Sequence, residues 1–219
     1  EHTLIGNNEL TIEDLASFWQ AIAKEFSTFK NIYGYGLMNE PHDLAPETKW
    51  FDMAQASINA IREVDTNTLI MVGGNDWSSA ERWIEQSDTL KFLKDPANNL
   101  AFEAHVYFDK DASGTYKYSY EEEECYPEKG IDRVKPFVEW IKQNKFHGFI
   151  GEYGIPDNDP RWNETLDLFL GYLQENGING TYWAAGPWWD TYFMAITPKD
   201  GKDRPQMPII EKYTSTLKK

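Results

Sequence analysis

Short runs rich in apolar, aromatic and glycine residues alternate with stretches of helical spacing along the chain, and this alternation limits the possible folds more than any other feature. Leu15, Phe18, Trp19, Ile22, Ala23 and Phe26 fall at helical spacing behind Thr11 and Asp14, a looser form of the capping box. Ile32 to Met38 reads as a buried strand ending in Asn39-Glu40-Pro41, and a helix from about Glu47 to Glu63 follows it. Leu69 to Val72 is a second strand, closed by Gly73-Gly74-Asn75. A weaker helical stretch, Ala80 to Leu93, precedes a third strand from Leu100 to Tyr107. The pattern continues with a helix over Ile131 to Gln143 and a short strand from Gly148 to Gly151 that ends at Glu152. Next come a helix over Thr165 to Glu175, a fifth strand over Gly180 to Trp183 and a last helix over Pro208 to Leu217.

Five alternations of strand and helix imply a parallel sheet with helices on its faces. An open doubly wound sheet would carry a glycine-rich phosphate loop after an early strand, and the sequence has none. Polar residues instead gather at several strand ends: Asn39-Glu40, Asn75-Asp76, His105 with Tyr107, and Glu152. A (β/α)8 TIM barrel places its chemistry there. Residues 1-219 therefore read as part of a single barrel domain, supplying strands 4–8 and their helices. The first three strands are expected on another polypeptide or on a separate part of the same protein, because five strands alone would leave an apolar edge open. Glu1 to Asn8 reads as a loop already inside a fold.

Composition narrows the partners. A formal charge of −15 argues against nucleic acid and anionic membranes, both of which need a basic surface. No apolar run reaches the roughly 18 residues of a membrane span. One cysteine, Cys125, excludes an internal disulfide framework. The four histidines lack zinc spacing, and Glu121 to Glu124 reads as a solvated acidic face, so neither a metal nor a cofactor is expected. Aromatic residues make up 15% of the chain, with nine Trp and 12 Tyr, which suits a neutral polymer whose sugar rings stack on flat faces.

Two carboxylates at strand ends, Glu40 and Glu152, suggest acid/base and nucleophilic chemistry across a glycosidic bond. Carboxyl groups about 5 Å apart would give net retention, and a wider gap would admit water and give inversion. Leu37-Met38-Asn39-Glu40-Pro41-His42 resembles the acid/base signature of glycoside hydrolase family 5, the large cellulase family. Phe149-Ile150-Gly151-Glu152-Tyr153-Gly154 resembles its nucleophile strand, His105-Val106-Tyr107 its sixth-strand pair, and Tyr182-Trp183-Ala184-Ala185-Gly186 its eighth-strand tryptophan. The four motifs occur in the family's order across about Tyr33 to Trp189.

The resemblance implies roles. Glu40 would be general acid and then base, with a raised pKa, and Glu152 the nucleophile, kept ionised by donors such as Tyr107. Asn39 would bind the sugar 2-hydroxyl, His105 would orient the carboxylates, and Trp183 would form the platform under the sugar being cleaved. Trp77 and Trp188 are candidates for outer subsites, whereas Trp83 and Trp162 read as helical packing. His42 reads as a structural hydrogen-bonding residue, and His2 and His147 as surface residues. The resemblance also implies an arginine and a histidine from the family's second and third strands, which lie outside this chain. The expected activity is that of a retaining, endo-acting β-1,4-glucanase working on β-glucan, with secretion inferred from a polymeric substrate. A β-mannanase or mixed-linkage glucanase would carry the same catalytic motifs. A carbohydrate-binding relic would have lost a carboxylate, and an inactive barrel fragment would need its N-terminal part.

Overall fold

The computed structural model describes residues 4–6, 9–45 and 48–214. Five strands, β1 (Gly34–Gly36), β2 (Leu69–Gly73), β3 (Leu100–Tyr107), β4 (His147–Gly154) and β5 (Asn179–Tyr182), follow in the order β1-β2-β3-β4-β5. Between and around them run α1 (Ile12–Phe26), α2 (Trp50–Arg62), the helical turn α3 (Asn75–Ser78), α4 (Trp83–Ser87), α5 (Lys129–Asn144), α6 (Arg161–Glu175) and α7 (Met207–Tyr213). Among the described residues no helix is long and apolar enough to cross a membrane. The chain forms two compact units, Glu1–Ala104 with Glu139–Gly148, and His105–Val138 with Phe149–Lys219.

In the first unit, α1 opens with a full capping box. The Thr11 hydroxyl accepts from Asp14 N, and the Asp14 carboxylate accepts from Thr11 N. β1 and β2 pair in parallel with Gly34 opposite Leu69, and β2 pairs with β3 with Ile70 opposite Leu100. Trp50, Met53, Ile58 and Ile61 of α2 are buried together with Ile70 and Phe102. Phe102 meets Trp140 edge-on at 5.0 Å and Phe146 at 4.8 Å, and Trp83 packs on Trp140 at 5.5 Å. Because side chains alternate along a strand, Phe102 on this face puts Glu103, His105 and Tyr107 on the other.

Arg62, at the end of α2, is buried against an equally buried Asp95, with two guanidinium contacts of 2.7 and 3.0 Å. Its remaining N–H groups donate to the carbonyls of Asp65 and Thr68. Burial opposes the Asp95 charge, but the Arg62 bonds and the N–H groups of Asn99 and Ala97 outweigh it and lower the pKa. Ionised Asp95 therefore stabilises the fold in full above the ordinary carboxylate range, and that stabilisation is lost as pH falls below it. Asp95→Ala strands the buried guanidinium, and denaturant unfolding of the intact protein is expected to show a loss of about 3–5 kcal/mol at neutral pH. Toward acid pH the variant and the wild type should converge.

The second unit carries the end of β3, most of β4, β5, α6 and α7. β4 and β5 pair in parallel, Phe149 opposite Asn179, with an irregularity between Ile150 and Tyr153. Trp162 is 1% exposed, and Phe169 of α6 packs on Phe108 and Tyr153 at 5.2 and 5.4 Å. Trp83 and Trp162 are packing residues, as their helical positions suggest.

Several elements differ from the sequence reading. β1 is three residues long rather than seven; at its far end Leu37 N still donates to the Met71 carbonyl (3.1 Å), but the Leu37 carbonyl is taken by the Trp19 indole (3.1 Å) instead of by the neighbouring strand. The stretch Ala80 to Leu93 is not one helix. α4 ends at Ser87, whose hydroxyl takes Asn75 N (2.9 Å), and Asp88–Phe92 continues as a tighter 3-10 turn. β4 runs on to Gly154, so Glu152 lies inside the strand, while Trp183 stands just past β5. The acidic run is not wholly solvated. Glu123 is 3% exposed and accepts from Lys110 N and Tyr118 N at 2.8 and 2.9 Å, so its carboxylate turns inward to hold a loop. His2, read as a surface residue, the helix start at Glu47 and the helix end at Leu217 lie outside the described residues.

Candidate active site

In the first unit the chain leaves β1 through Leu37 and Met38 and reaches Asn39, which is exposed, and Glu40, which is half-buried. Glu40 has φ 46°, a left-handed backbone that a glutamate adopts only when its surroundings impose it. Local strain of that kind collects at working side chains. Glycines make room for the turns here. A Cβ on Gly73 would approach the Met38 carbonyl to 3.0 Å, and one on Gly74 would strike the Trp83 ring at 2.4 Å. Trp50 donates to the Gly73 carbonyl at 2.7 Å and fixes the end of β2.

Past β2, Asp76, Trp77 and Ser78 take left-handed conformations one after another, and Trp77 is left 43% exposed. Its indole stacks on the His42 ring at 4.4 Å and 15°. His42 Nδ1 is 3.0 Å from the Asp43 carboxylate. Pro41, His42, Asp43, Leu44, Asn75, Asp76 and Trp77 line one open cavity. The structure thus brings Trp77 together with the segment directly following Glu40. His42 makes the polar contact anticipated for it and also backs an exposed aromatic face.

In the second unit His105, Tyr107 and Glu152 come together. The Tyr107 hydroxyl donates to Glu152 Oε2 at 2.7 Å, and His105 Nδ1 lies 3.7 Å from the same oxygen, beyond a hydrogen bond but close enough to feel its charge. His105 and Tyr107 are 6% and 8% exposed. Burial first, and then the neighbouring Glu152 charge, push the Tyr107 phenol far above its ordinary pKa, so it remains a donor throughout the working range.

A loop holds Tyr107 in place. Asp109, 1% exposed, accepts from the Ser113 hydroxyl and from the N–H groups of Gly114, Thr115 and Tyr116. This sets Gly114, at φ 72°, on the Tyr107 ring, where a Cβ would come within 2.9 Å of it. Tyr116 accepts from Phe108 N at 2.9 Å and donates to the Gly154 carbonyl at 2.6 Å, tying the loop to the strand that bears Glu152.

Trp183 is fixed against the same strand. Its N–H donates to the Tyr153 carbonyl at 2.8 Å, and a Cβ at Gly154 would lie 2.3 Å from the Trp183 carbonyl, so only glycine permits this approach. The Trp183 ring meets Trp189 edge-on at 4.9 Å. Trp188 is 89% exposed. Three features here have no distinct sequence signal: the Asp109 anchor, the Tyr116 tie and Tyr192, which packs on Trp189 at 4.9 Å.

The second unit thus presents a carboxylate held by a phenol donor, on a strand against which the Trp183 backbone is fixed. The chain belongs to the cellulase family, glycosyl hydrolase family 5, whose model matches residues 1–188. It is 36% identical over 193 residues to endo-beta-1,4-glucanase B of Emericella nidulans, covering 86% of this chain and 56% of that protein. Its fold is similar to that of Pseudomonas stutzeri endoglucanase Cel5A in complex with cellobiose, with TM-score 0.91 and 42% identity, over 99% of this chain and 64% of that one. XacCel5A in complex with cellopentaose is similar at TM-score 0.86 and 37% identity, over 95% of this chain and 68% of that one. The fold is therefore that of a (β/α)8 barrel, of which these five strands form a part. The chain spans a little over half the length of the curated relatives it matches.

Proposed function

We propose that the protein is a retaining, endo-acting β-1,4-glucanase in which Glu40 is the acid/base and Glu152 the nucleophile. The observation that carries this reading is the Glu152 carboxylate held by the Tyr107 hydroxyl and approached by His105, on a strand to which Trp183 is fixed. A nucleophile must stay ionised and aimed, and a donor that keeps its own proton supports both. Glu40, with Asn39 before it, stands at the end of another strand in a constrained backbone, as expected of an acid presented to the leaving oxygen. Asn39 then contacts the 2-hydroxyl, Trp183 lies beneath the sugar being cleaved, and Trp77 and Trp188 serve outer subsites.

Glucan is favoured as substrate because the solved relatives include complexes with cellobiose and cellopentaose. The Arg and His that the family takes from its second and third strands would come from the rest of the barrel. β1 ends the strand order, and exposed Phe18, Phe29 and Tyr33 in its vicinity offer apolar surface for that segment. Secretion follows from a polymer too large to enter a cell.

Viscosity loss and reducing-sugar release are to be followed together on soluble cellulose derivatives, mixed-linkage glucan and mannan, using the intact protein. A steep early fall in viscosity on the cellulose derivative supports the reading. Preference for mannan would reassign the substrate, and no release from any polymer would overturn the enzymatic reading.

The Tyr107 bond has its own consequence. Tyr107→Phe removes a donor that favours the charged form of Glu152, so protonation of the nucleophile becomes easier. The acid limb of kcat/KM is expected to move to higher pH, with kcat down about 10-fold at the optimum. An unchanged acid limb would separate Tyr107 from the nucleophile.

A further inference from the structure

The segment after Trp183 is closed at its base and crowded with rings. Ile196 N donates to the Ala184 carbonyl at 3.0 Å, and the Thr197 hydroxyl accepts from Gly186 N at 2.9 Å. Arg204 secures it from below, donating to Asp157 at 2.6 Å and to the carbonyls of Asp190 and Thr197. Within this loop Trp189 touches the Trp183 ring on one side and Tyr192 on the other, at centroid distances of 4.9 Å each. Tyr192 continues the contact to Phe193 at 4.8 Å, and Phe193 reaches Tyr116 at 6.3 Å. Tyr116 is bonded to Gly154, two residues beyond Glu152. Ring contacts from Trp183 through Trp189, Tyr192 and Phe193 to Tyr116, and then the Tyr116 bond to Gly154, therefore lead back to the strand that bears Glu152, with Tyr192 in the middle of the series.

We propose that Tyr192 is a positioning residue of the subsite at Glu152: its ring braces Trp189 and, through it, holds the plane of Trp183 while the sugar above is distorted toward the transition state. The inference rests on the functional reading above and assigns a residue that the motifs do not. Edge and offset contacts between rings contribute about 0.5–1.5 kcal/mol each beyond buried area, enough to fix one orientation of an indole that solvent would otherwise loosen. Burial, opposed by a hydrogen bond from Trp183 and reinforced by the Glu152 charge, raises the Tyr192 phenol above its ordinary pKa, which is consistent with a hydroxyl facing the same subsite. An indole free to tilt still offers a stacking face to the ground state but loses its fit to the flattened ring. The defect therefore belongs in kcat.

The test uses the intact protein and an aryl β-cellobioside. Tyr192→Ala is expected to lower kcat about 10- to 100-fold with KM changed less than about 3-fold. Tyr192→Phe keeps the ring but not the hydroxyl that accepts from Trp183, and is expected to restore part of the loss, with kcat above that of the alanine and leucine variants. Tyr192→Leu, which keeps bulk without a flat face, should behave as the alanine variant while melting close to wild type. A kcat within about 2-fold of wild type in both the alanine and leucine variants would overturn the proposal, as would a rise in KM alone, because that pattern reports lost uniform binding. Failure of the alanine variant to fold shifts the decision to the leucine variant. A wild-type protein that does not hydrolyse the cellobioside would instead overturn the functional reading on which this one stands.

Discussion

Glu152→Ala in the intact protein is expected to lower kcat on an aryl β-cellobioside by a factor on the order of 10⁴ to 10⁶, with no change in the unfolding free energy beyond about 1 kcal/mol. The size follows from the role. Without the carboxylate no covalent glycosyl intermediate forms, and water has to attack unaided. The Tyr107 hydroxyl and His105, which face Glu152 Oε2 in the wild type, would then border a small polar gap. Azide fits such a gap and attacks the anomeric carbon from the side the carboxylate occupied. Rescue is therefore expected to yield a glycosyl azide of inverted, α configuration. NMR of the product reads this directly. A residual rate within about 100-fold of wild type would remove Glu152 from the nucleophile's role.

Glu40→Ala should behave differently on the same substrate. An acid is needed most where the leaving group is poor, and general acid catalysis contributes about 10²- to 10⁴-fold. Cello-oligosaccharides should lose activity by about that factor. An aryl glycoside with a good leaving group departs without a proton, so its first step survives. The second step then becomes limiting, because no base assists the incoming water. A burst of phenol, a lowered KM and accumulation of the covalent intermediate are the expected signs. Azide needs no base, and rescue should here give the β azide. The same substitution at two carboxylates thus leads to opposite anomers, which no structural disturbance would produce. Equal losses on good and poor leaving groups would refute the role of Glu40.

How much of this could be read from sequence depends on the range of the forces involved. β3 has the bounds expected of it, Leu100–Tyr107, because a long apolar run bounded by Asn and Asp specifies a strand locally. The α1 capping box spans only four residues and was equally readable. The far end of β1 is not legible locally, because there Trp19, 18 positions earlier, takes the Leu37 carbonyl. In the sequence Glu123 reads as one of four equivalent charges. Only the folded loop, with two N–H groups waiting for an acceptor, distinguishes it from its neighbours.

The candidate site divides in the same way. Glu40, Glu152, His105 and Tyr107 are marked by their places at or near strand ends, and the alternation of the strand, seen in the fold, puts His105 and Tyr107 on one face. The stack of His42 on Trp77 is not marked in this way, since it depends on three successive left-handed residues that no motif announces. Tyr192 was concealed by its surroundings. In a run containing Trp188, Trp189, Tyr192 and Phe193, spacing does not tell which ring braces and which ring meets solvent, and Trp188 proves to be the exposed one.

A fluorinated cellobioside with a good leaving group tests the central assignment most directly, because it forms the glycosyl-enzyme but releases it slowly. Digestion of the inactivated intact protein and mass spectrometry should find one added disaccharide, attached to Glu152. Attachment to another carboxylate, or turnover that yields the α product with no adduct, would contradict the double-displacement roles assigned to Glu40 and Glu152.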